Sequence, residues 1–100
     1  RHLKSLHAKN LAMFAQRAGD LETAAQLNDI VLKDRPANRD VLLSRSKIEL
    51  ALGNLHAAAN YIQQSLQIQP GDTRILEVRD EIRNELESLV ERLQPVISEN

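Results

Sequence analysis

The chain has 100 residues, of which 42% are hydrophobic but only Phe14 and Tyr61 are aromatic, and its formal net charge is −1. It contains no cysteine, which excludes disulfides, thiolate metal sites and cysteine nucleophiles. The charge pattern lacks the basic stripe of a nucleic-acid-binding surface, and no apolar run reaches the ~20 residues of a membrane span. The length predicts one domain with a modest core. Because the first residue is Arg1, we expect a fragment or processed form of a larger protein, whose compartment the sequence leaves open.

The first predicted helix ends at Gly19, a residue that takes a positive φ without penalty and therefore suits a helix C-terminus. Its apolar residues follow three-and-four spacing, and we expect them to face inward; they are Leu3, Leu6, Leu11, Phe14, Ala15 and Ala18. Asp20 is predicted to cap a second helix, which ends at Pro36 because the residue before a proline disfavours helical angles. The inward side of this second helix is predicted to carry Leu21, Ala24, Ala25, Leu27, Ile30, Val31 and Leu32.

A second pair of helices follows the same plan. Asp40 is predicted to cap its first helix, which ends at Gly53, and Asn54 opens the next, which ends at Pro70–Gly71. The inward residues are predicted to be Val41, Leu42, Ile48, Ala51 and Leu52, then Leu55, Ala58, Ala59, Ile62, Leu66 and Ile68.

A longer last helix is predicted over residues 73–93, capped by Asp72 and ended by Pro95, with residues 95–100 as a frayed tail. Its apolar stripe contains Ile75, Ile82, Leu86, Leu89, Val90 and Leu93. We expect residues 75–86 to cover the end of the preceding helices. Leu89, Val90 and Leu93 overshoot those helices, so we expect them to contact a second copy of the chain, as in a homodimer, or another segment.

The two helical pairs are an internal repeat with an offset of 34 residues. Four kinds of residue recur at this interval, namely Gly19 and Gly53, Asp20 and Asn54, Ala24 and Ala58, and Pro36 and Pro70. The units are therefore residues 5–38 and 39–72. The small side chains of Ala15, Ala24, Ala51 and Ala58 are predicted to let paired helices approach closely. One such hairpin cannot bury its apolar face alone, so neighbouring hairpins stack.

This pattern resembles the tetratricopeptide repeat, a 34-residue helix–turn–helix unit. The matching residues are Leu11–Ala12, Gly19–Asp20, Ala24 and Pro36 in the first unit, and Gly53–Asn54, Ala58 and Pro70 in the second. The resemblance implies an all-α solenoid of two repeats plus a long C-terminal capping helix, in one domain over residues 1–94. It also implies a non-catalytic scaffold whose concave groove receives a peptide or helix of a partner protein.

The groove is predicted, from the resemblance and the helical phase, to be lined by the first helix of each pair and by the last helix. The candidate residues are Lys9, Asn10, Met13, Gln16, Leu43, Ser44, Lys47, Leu50, Arg74, Glu77, Val78 and Glu81. Some family members clamp the C-terminal carboxylate of a chaperone with Lys, Asn and Arg side chains. Lys9 and Lys47 match that clamp, but Met13, Ser44 and Val78 do not, which argues against the same specificity.

No catalytic, cofactor-binding or metal-binding pattern is present in the sequence. His2 and His7 are five residues apart, which does not place them on one helix face as metal ligands. The acidic residues of the last helix are interleaved with Arg74, Arg79 and Arg83 at ion-pair spacing. We therefore predict that the chain is not an enzyme. The alternative to a groove is an assembly module that uses the last helix, and family analogy alone adds a bacterial envelope or exopolysaccharide machine as its setting.

Overall fold

Five α-helices make up most of the part of the chain that the computed structural model describes, which is residues 4–98 for the backbone and 4–93 for the side chains. They are α1 (Ser5–Arg17), α2 (Leu21–Asp34), α3 (Arg39–Ala51), α4 (Leu55–Ile68) and α5 (Thr73–Ser98). This part of the chain has no strand, which confirms the predicted all-α class. Helices α3 and α4 begin and end 34 residues after α1 and α2, so the repeat in the sequence is also a repeat in the helix bounds.

The same turn joins the helices of each pair. Gly19 and Gly53 both have φ = 83°, in the left-handed region that side chains other than glycine rarely adopt. The N–H of Gly19 donates to the carbonyl of Gln16 at 3.1 Å, and the N–H of Gly53 donates to the carbonyl of Leu50 at 3.1 Å. The positive φ expected at both positions is therefore confirmed, and it reverses the chain within four residues.

The helix caps follow the prediction at Asp20 but not at Asp40. The Asp20 carboxylate accepts a hydrogen bond from the Thr23 N–H at 3.3 Å. Helix α3 is capped instead by Asn38, whose Oδ1 accepts from the Val41 N–H at 3.2 Å. Since a capping side chain belongs to the residue before the first helical one, Asp40 lies two residues too far along, where its charge still favours the helix N-terminus.

Helix α1 buries its small side chains rather than its large ones. Ala8 and Ala12 are buried, and Ala8 packs in one cluster with Val31 and Val41, which joins α1, α2 and α3. Leu6, Leu11 and Phe14, predicted to face inward, are exposed, as are Ala18, Ile30, Ala51, Leu52 and Ile68. Leu3 lies outside the described residues.

The large apolar side chains of α1 are exposed because this helix has fewer neighbouring helices than α3. Phe14 of α1 is 66% exposed, whereas Ile48, the residue at the matching position of α3, is 1% exposed. Helix α3 packs against α2, α4 and α5, whereas α1 packs mainly against α2. Helical spacing predicts which residues share a face, but the burial of that face requires a neighbouring helix.

A second core cluster joins α3, α4 and α5. Its buried members are Leu43, Ala58, Ile62, Ile75, Val78 and Ile82. Burial of an aliphatic side chain of this kind contributes about 1.5–3 kcal/mol, so this cluster attaches the first part of α5 to the second hairpin. The prediction that residues 75–86 cover the end of the preceding helices is therefore confirmed as far as Ile82, whereas Leu86 is exposed.

An almost buried arginine connects the two hairpins. Arg45 of α3 donates from Nη1 to the carbonyl of Ala25 at 2.9 Å and to the carboxylate of Asp29, both on α2. Its guanidinium lies 5.0 Å from the ring centre of Tyr61 on α4, and its Nε lies 3.8 Å from Oε2 of the buried Glu49. From α3, this side chain thus contacts two other helices, α2 and α4, and a planar guanidinium suits this combination of stacking and carboxylate binding.

Helix α5 begins at Thr73 as predicted but continues through Pro95 to Ser98, so the predicted end before Pro95 is wrong. A proline fixes φ near the helical value and removes one N–H donor, so it weakens the helix without forbidding helical angles. Residues 95–98 of the predicted tail are helical, and residues 99 and 100 lie outside the described part. None of the helices described has both the length and the apolar character that a membrane crossing requires.

The repeated turn predicts a difference between two Gly→Ala substitutions. Gly53→Ala places a side chain at φ = 83°, and we expect it to lower the free energy of unfolding by about 1–2 kcal/mol. Gly71→Ala is the matched control, because Gly71 does not have a positive φ and an added Cβ meets no atom within 4 Å. Urea unfolding followed by circular dichroism measures both, and equal stabilities of the two variants would contradict the argument.

Candidate partner-binding groove

An open cavity of about 380 Å³ lies where α1, α2, α3 and the start of α5 meet. It is lined by Lys9, Ala12, Met13, Gln16, Asn28, Asp40, Val41, Leu43, Ser44, Lys47 and Arg74. Helical spacing explains the lining, because Lys9, Met13 and Gln16 recur every three or four residues on one face of α1. Its volume lies at the lower end of the ~300–1,000 Å³ of typical ligand sites.

Seven of the residues predicted for the groove meet in this cavity, namely Lys9, Met13, Gln16, Leu43, Ser44, Lys47 and Arg74. Leu50 and Glu81 instead line a separate open depression with Asn84 and Glu85. Asn10 and Glu77 are exposed but line neither cavity, and Val78 is buried in the core.

Asp40 is the electrostatic centre of the cavity. One of its carboxylate oxygens lies 3.7 Å from Nζ of Lys9 on α1, and the other lies 3.9 Å from Nη2 of Arg74 on α5. Arg39 Nε approaches the same carboxylate at 3.7 Å. All of these side chains are partly exposed, so each pair contributes at most about 1 kcal/mol. Their main effect is to hold cations from two other helices beside α3.

The cavity carries more positive than negative charge. Its lining contains three cations, Lys9, Lys47 and Arg74, and the single carboxylate of Asp40. Lys47 is exposed and forms no ion pair within the part of the chain that the structure describes. The surplus charge favours an anionic group at this site.

Arg74 is positioned by Asp72, the residue before α5. The two oxygens of Asp72 accept from Nε of Arg74 at 3.3 Å and from its Nη2 at 3.0 Å, and one of them also accepts from the Arg74 backbone N–H at 2.9 Å. The side-chain hydrogen bond from Arg74 lowers the pKa of Asp72 below its ordinary value. This two-point geometry is the stronger form of an arginine–carboxylate pair.

Asn28 is a cavity residue that the sequence analysis did not identify. It lies on the buried face of α2 between Ala24 and Val31, and it is 2% exposed. Its amide nitrogen has no hydrogen-bond partner among the residues that the structure describes. The signal in the sequence was a polar residue at an inward position of an apolar helix face, which is unfavourable unless a partner satisfies it.

The residues predicted for self-association are exposed on the second part of α5. Val90 is 60% exposed, and Leu89 and Leu93 are also exposed. Leu86 continues their stripe toward the body of the molecule, so the exposed stripe starts one turn earlier than predicted. Every residue from Arg83 to Leu93 is exposed, so this part of α5 is not covered by the other described helices.

No cluster of three or more His, Asp or Glu side chains that could hold a metal occurs within the described residues. His2 lies outside them. Of the acidic residues on α5, Asp80 approaches arginine, with 3.2 Å between its carboxylate and Nη2 of Arg79. Arg83 approaches the same carboxylate at 3.9 Å.

Comparison of the sequence with models of protein families and with curated proteins gives no match. The resemblance to the tetratricopeptide repeat therefore depends on the residues and helix bounds described above.

The pair between Asp72 and Arg74 predicts an acid-sensitive contribution to stability. Because the folded pKa of Asp72 lies below its unfolded value, the contribution is present above the unfolded pKa and is lost as the pH falls through the folded pKa, below about pH 4. We expect Asp72→Asn to be less stable than the unsubstituted chain at pH 7, with a difference that disappears in acid. Urea unfolding between pH 7 and pH 2 measures it, and a difference independent of pH would contradict the assignment.

Proposed function

We propose that the chain is a non-catalytic interaction module of two tetratricopeptide-like hairpins and a C-terminal helix. In this proposal the cavity between α1, α2, α3 and α5 receives a segment of a partner protein. The observation that carries the proposal is the cavity itself, because both hairpins and α5 present polar, charged and apolar side chains around one open space.

The repeat geometry supports the tetratricopeptide part of the proposal. The helix bounds recur at an offset of 34 residues, and the positive φ recurs at Gly19 and Gly53. Ala24 and Ala58, the small residues early in the second helix of each unit, are both fully buried. These are the features that let two helices of a hairpin pack closely and let hairpins stack.

The composition of the cavity supports a protein ligand. Met13 and Leu43 supply apolar surface, Ser44 and Gln16 supply hydrogen-bonding groups, and the lysines supply charge. A flexible methionine adapts to ligands of different shape. Such a mixture suits a segment with several kinds of side chain better than a single small molecule, and the described residues include no cluster arranged for metal-assisted chemistry.

Charge reversal tests the groove. We expect peptides selected on the purified chain from a random display library to bind Lys9→Glu/Lys47→Glu at least tenfold more weakly, because both side chains line the cavity. The control is Arg17→Glu/Lys33→Glu, which reverses the same charge at exposed positions outside the cavity lining. Fluorescence polarisation measures affinity and circular dichroism checks the fold. An equal loss of peptide affinity in both double variants would show that binding depends only on net charge and would contradict the groove.

A second candidate function is self-association through α5. Leu86, Leu89 and Leu93 are spaced by three and four residues on one face, the spacing at which two helices pack together. They are exposed on a segment in which every described residue from Arg83 to Leu93 is exposed, and a helix without a buried face is marginal in water. A second copy would cover this stripe and stabilise the helix.

Light scattering tests this second function. We expect the chain to form dimers at high micromolar concentration and Leu89→Glu/Leu93→Glu to be monomeric, because buried carboxylates oppose association. Ser88→Glu is the control, since it adds a negative charge on the same turn but outside the leucine stripe. A monomeric unsubstituted chain over the same concentration range would exclude the second function and leave the groove untouched.

A further inference from the structure

We propose that the cavity selects an acidic segment of its partner, and that the Asn28 amide on its floor donates a hydrogen bond to an oxygen of that segment. The inference rests on the proposed groove function and adds the chemistry of the ligand. It depends on an unsatisfied buried amide, on the balance of charge around it, and on the different residue at the matching position of the second hairpin.

Asn28 is buried beneath the cavity with an unsatisfied amide. It is 2% exposed, lines the cavity, and its Nδ2 has no partner among the described residues. Leaving such a donor unpaired lowers stability, whereas an incoming carbonyl or carboxylate oxygen would pair with it. In this proposal the amide group rotates about the last side-chain bond of Asn28, so that an N–H points to an oxygen of the ligand.

The second hairpin indicates that the fold does not need an amide here. The residue 34 positions after Asn28 is Ile62, which is also 2% exposed and packs in the core between α3, α4 and α5. An apolar side chain therefore satisfies the packing at this position of the hairpin. The amide of Asn28 is therefore an additional polar group. Of the two matching positions, Asn28 lines the charged cavity and Ile62 does not.

The charges around Asn28 select the sign of the ligand. Lys9 lies 3.7 Å from Asp40, and Arg74 is paired with Asp72 at 3.0 Å and lies 3.9 Å from Asp40, while Lys47 has no ion pair in the described part of the chain. A ligand carboxylate would contact Lys47 directly and would approach the other two cations. A basic segment would be repelled by Lys47 and would compete with Lys9 for the carboxylate of Asp40, so it would be rejected.

The first arm of the test is the composition of selected ligands. Random twelve-residue peptides are displayed and selected on the purified chain, and we expect Asp and Glu to be enriched at least threefold over the unselected library. Enrichment of Lys and Arg, or of uncharged residues alone, overturns the acidic preference. The groove function is still supported in that case if the charge reversal at Lys9 and Lys47 weakens binding of the selected peptides. Selection of no peptide overturns both.

The second arm is Asn28→Leu, which replaces the amide by an apolar group of similar size. We expect the best acidic peptide to bind this variant at least tenfold more weakly, while its melting temperature stays equal to or above that of the unsubstituted chain. A purely structural amide would give the opposite result, with a lower melting temperature and unchanged affinity. Asn60→Leu, at an exposed position outside the cavity, is the control and should change neither quantity.

Two further measurements complete the test. Asn28→Ala supplies the same comparison if Asn28→Leu does not fold, and unchanged peptide affinity in either folded variant overturns the role of Asn28. Competition with a single-stranded oligothymidine distinguishes the acidic segment from a general polyanion. The proposal is supported if the oligothymidine displaces the bound peptide only at concentrations at least tenfold higher than those at which unlabelled peptide does so. Displacement by both competitors at equal concentrations overturns it.

Discussion

Close approach of the two helices within each hairpin is the constraint on which the rest of the structure depends. A glycine with φ = 83° reverses the chain at Gly19 and again at Gly53, and a fully buried alanine follows five residues later at Ala24 and Ala58. A larger side chain at the alanine would hold the backbones apart, and a residue other than glycine would strain the turn. The cavity and the attachment of α5 both follow from hairpins of this shape placed side by side.

The cavity lies where both hairpins and the start of α5 meet, and its lining combines the small side chain of Ala12 with polar and charged groups. Asp40 lies between Lys9 of α1 and Arg74 of α5 at the edge of that space. The ion pairs are partly exposed and individually weak, so their consequence is the placement of charge rather than a large stabilisation. The charged side chains around the cavity are therefore different from the side chains that form the two core clusters.

Helix α5 combines two environments along one continuous axis. Ile75, Val78 and Ile82 are buried against the second hairpin, whereas the stripe that continues through Leu86 and Leu89 is exposed. A helix of 26 residues is about 39 Å long, which exceeds the length of the 13- and 14-residue helices that it packs against. The two proposed functions thus use opposite ends of α5, since Arg74 at its start lines the cavity, and a partner at one end does not compete for the other.

The sequence by itself determined the all-α class and the turns at Gly19 and Gly53. It also determined that Lys9 of α1 and Lys47 of α3 lie on the same side of the molecule, where both line the cavity. These features depend on local backbone preference and on helical spacing, which are properties of neighbouring residues. Only the tertiary structure decided that α1 buries Ala8 and exposes Phe14, that Asn28 lies beneath the cavity, and that α5 continues past Pro95. Spacing groups residues on a face, but the burial of a face depends on which helix lies beside it. That information resides in contacts between segments distant in the chain.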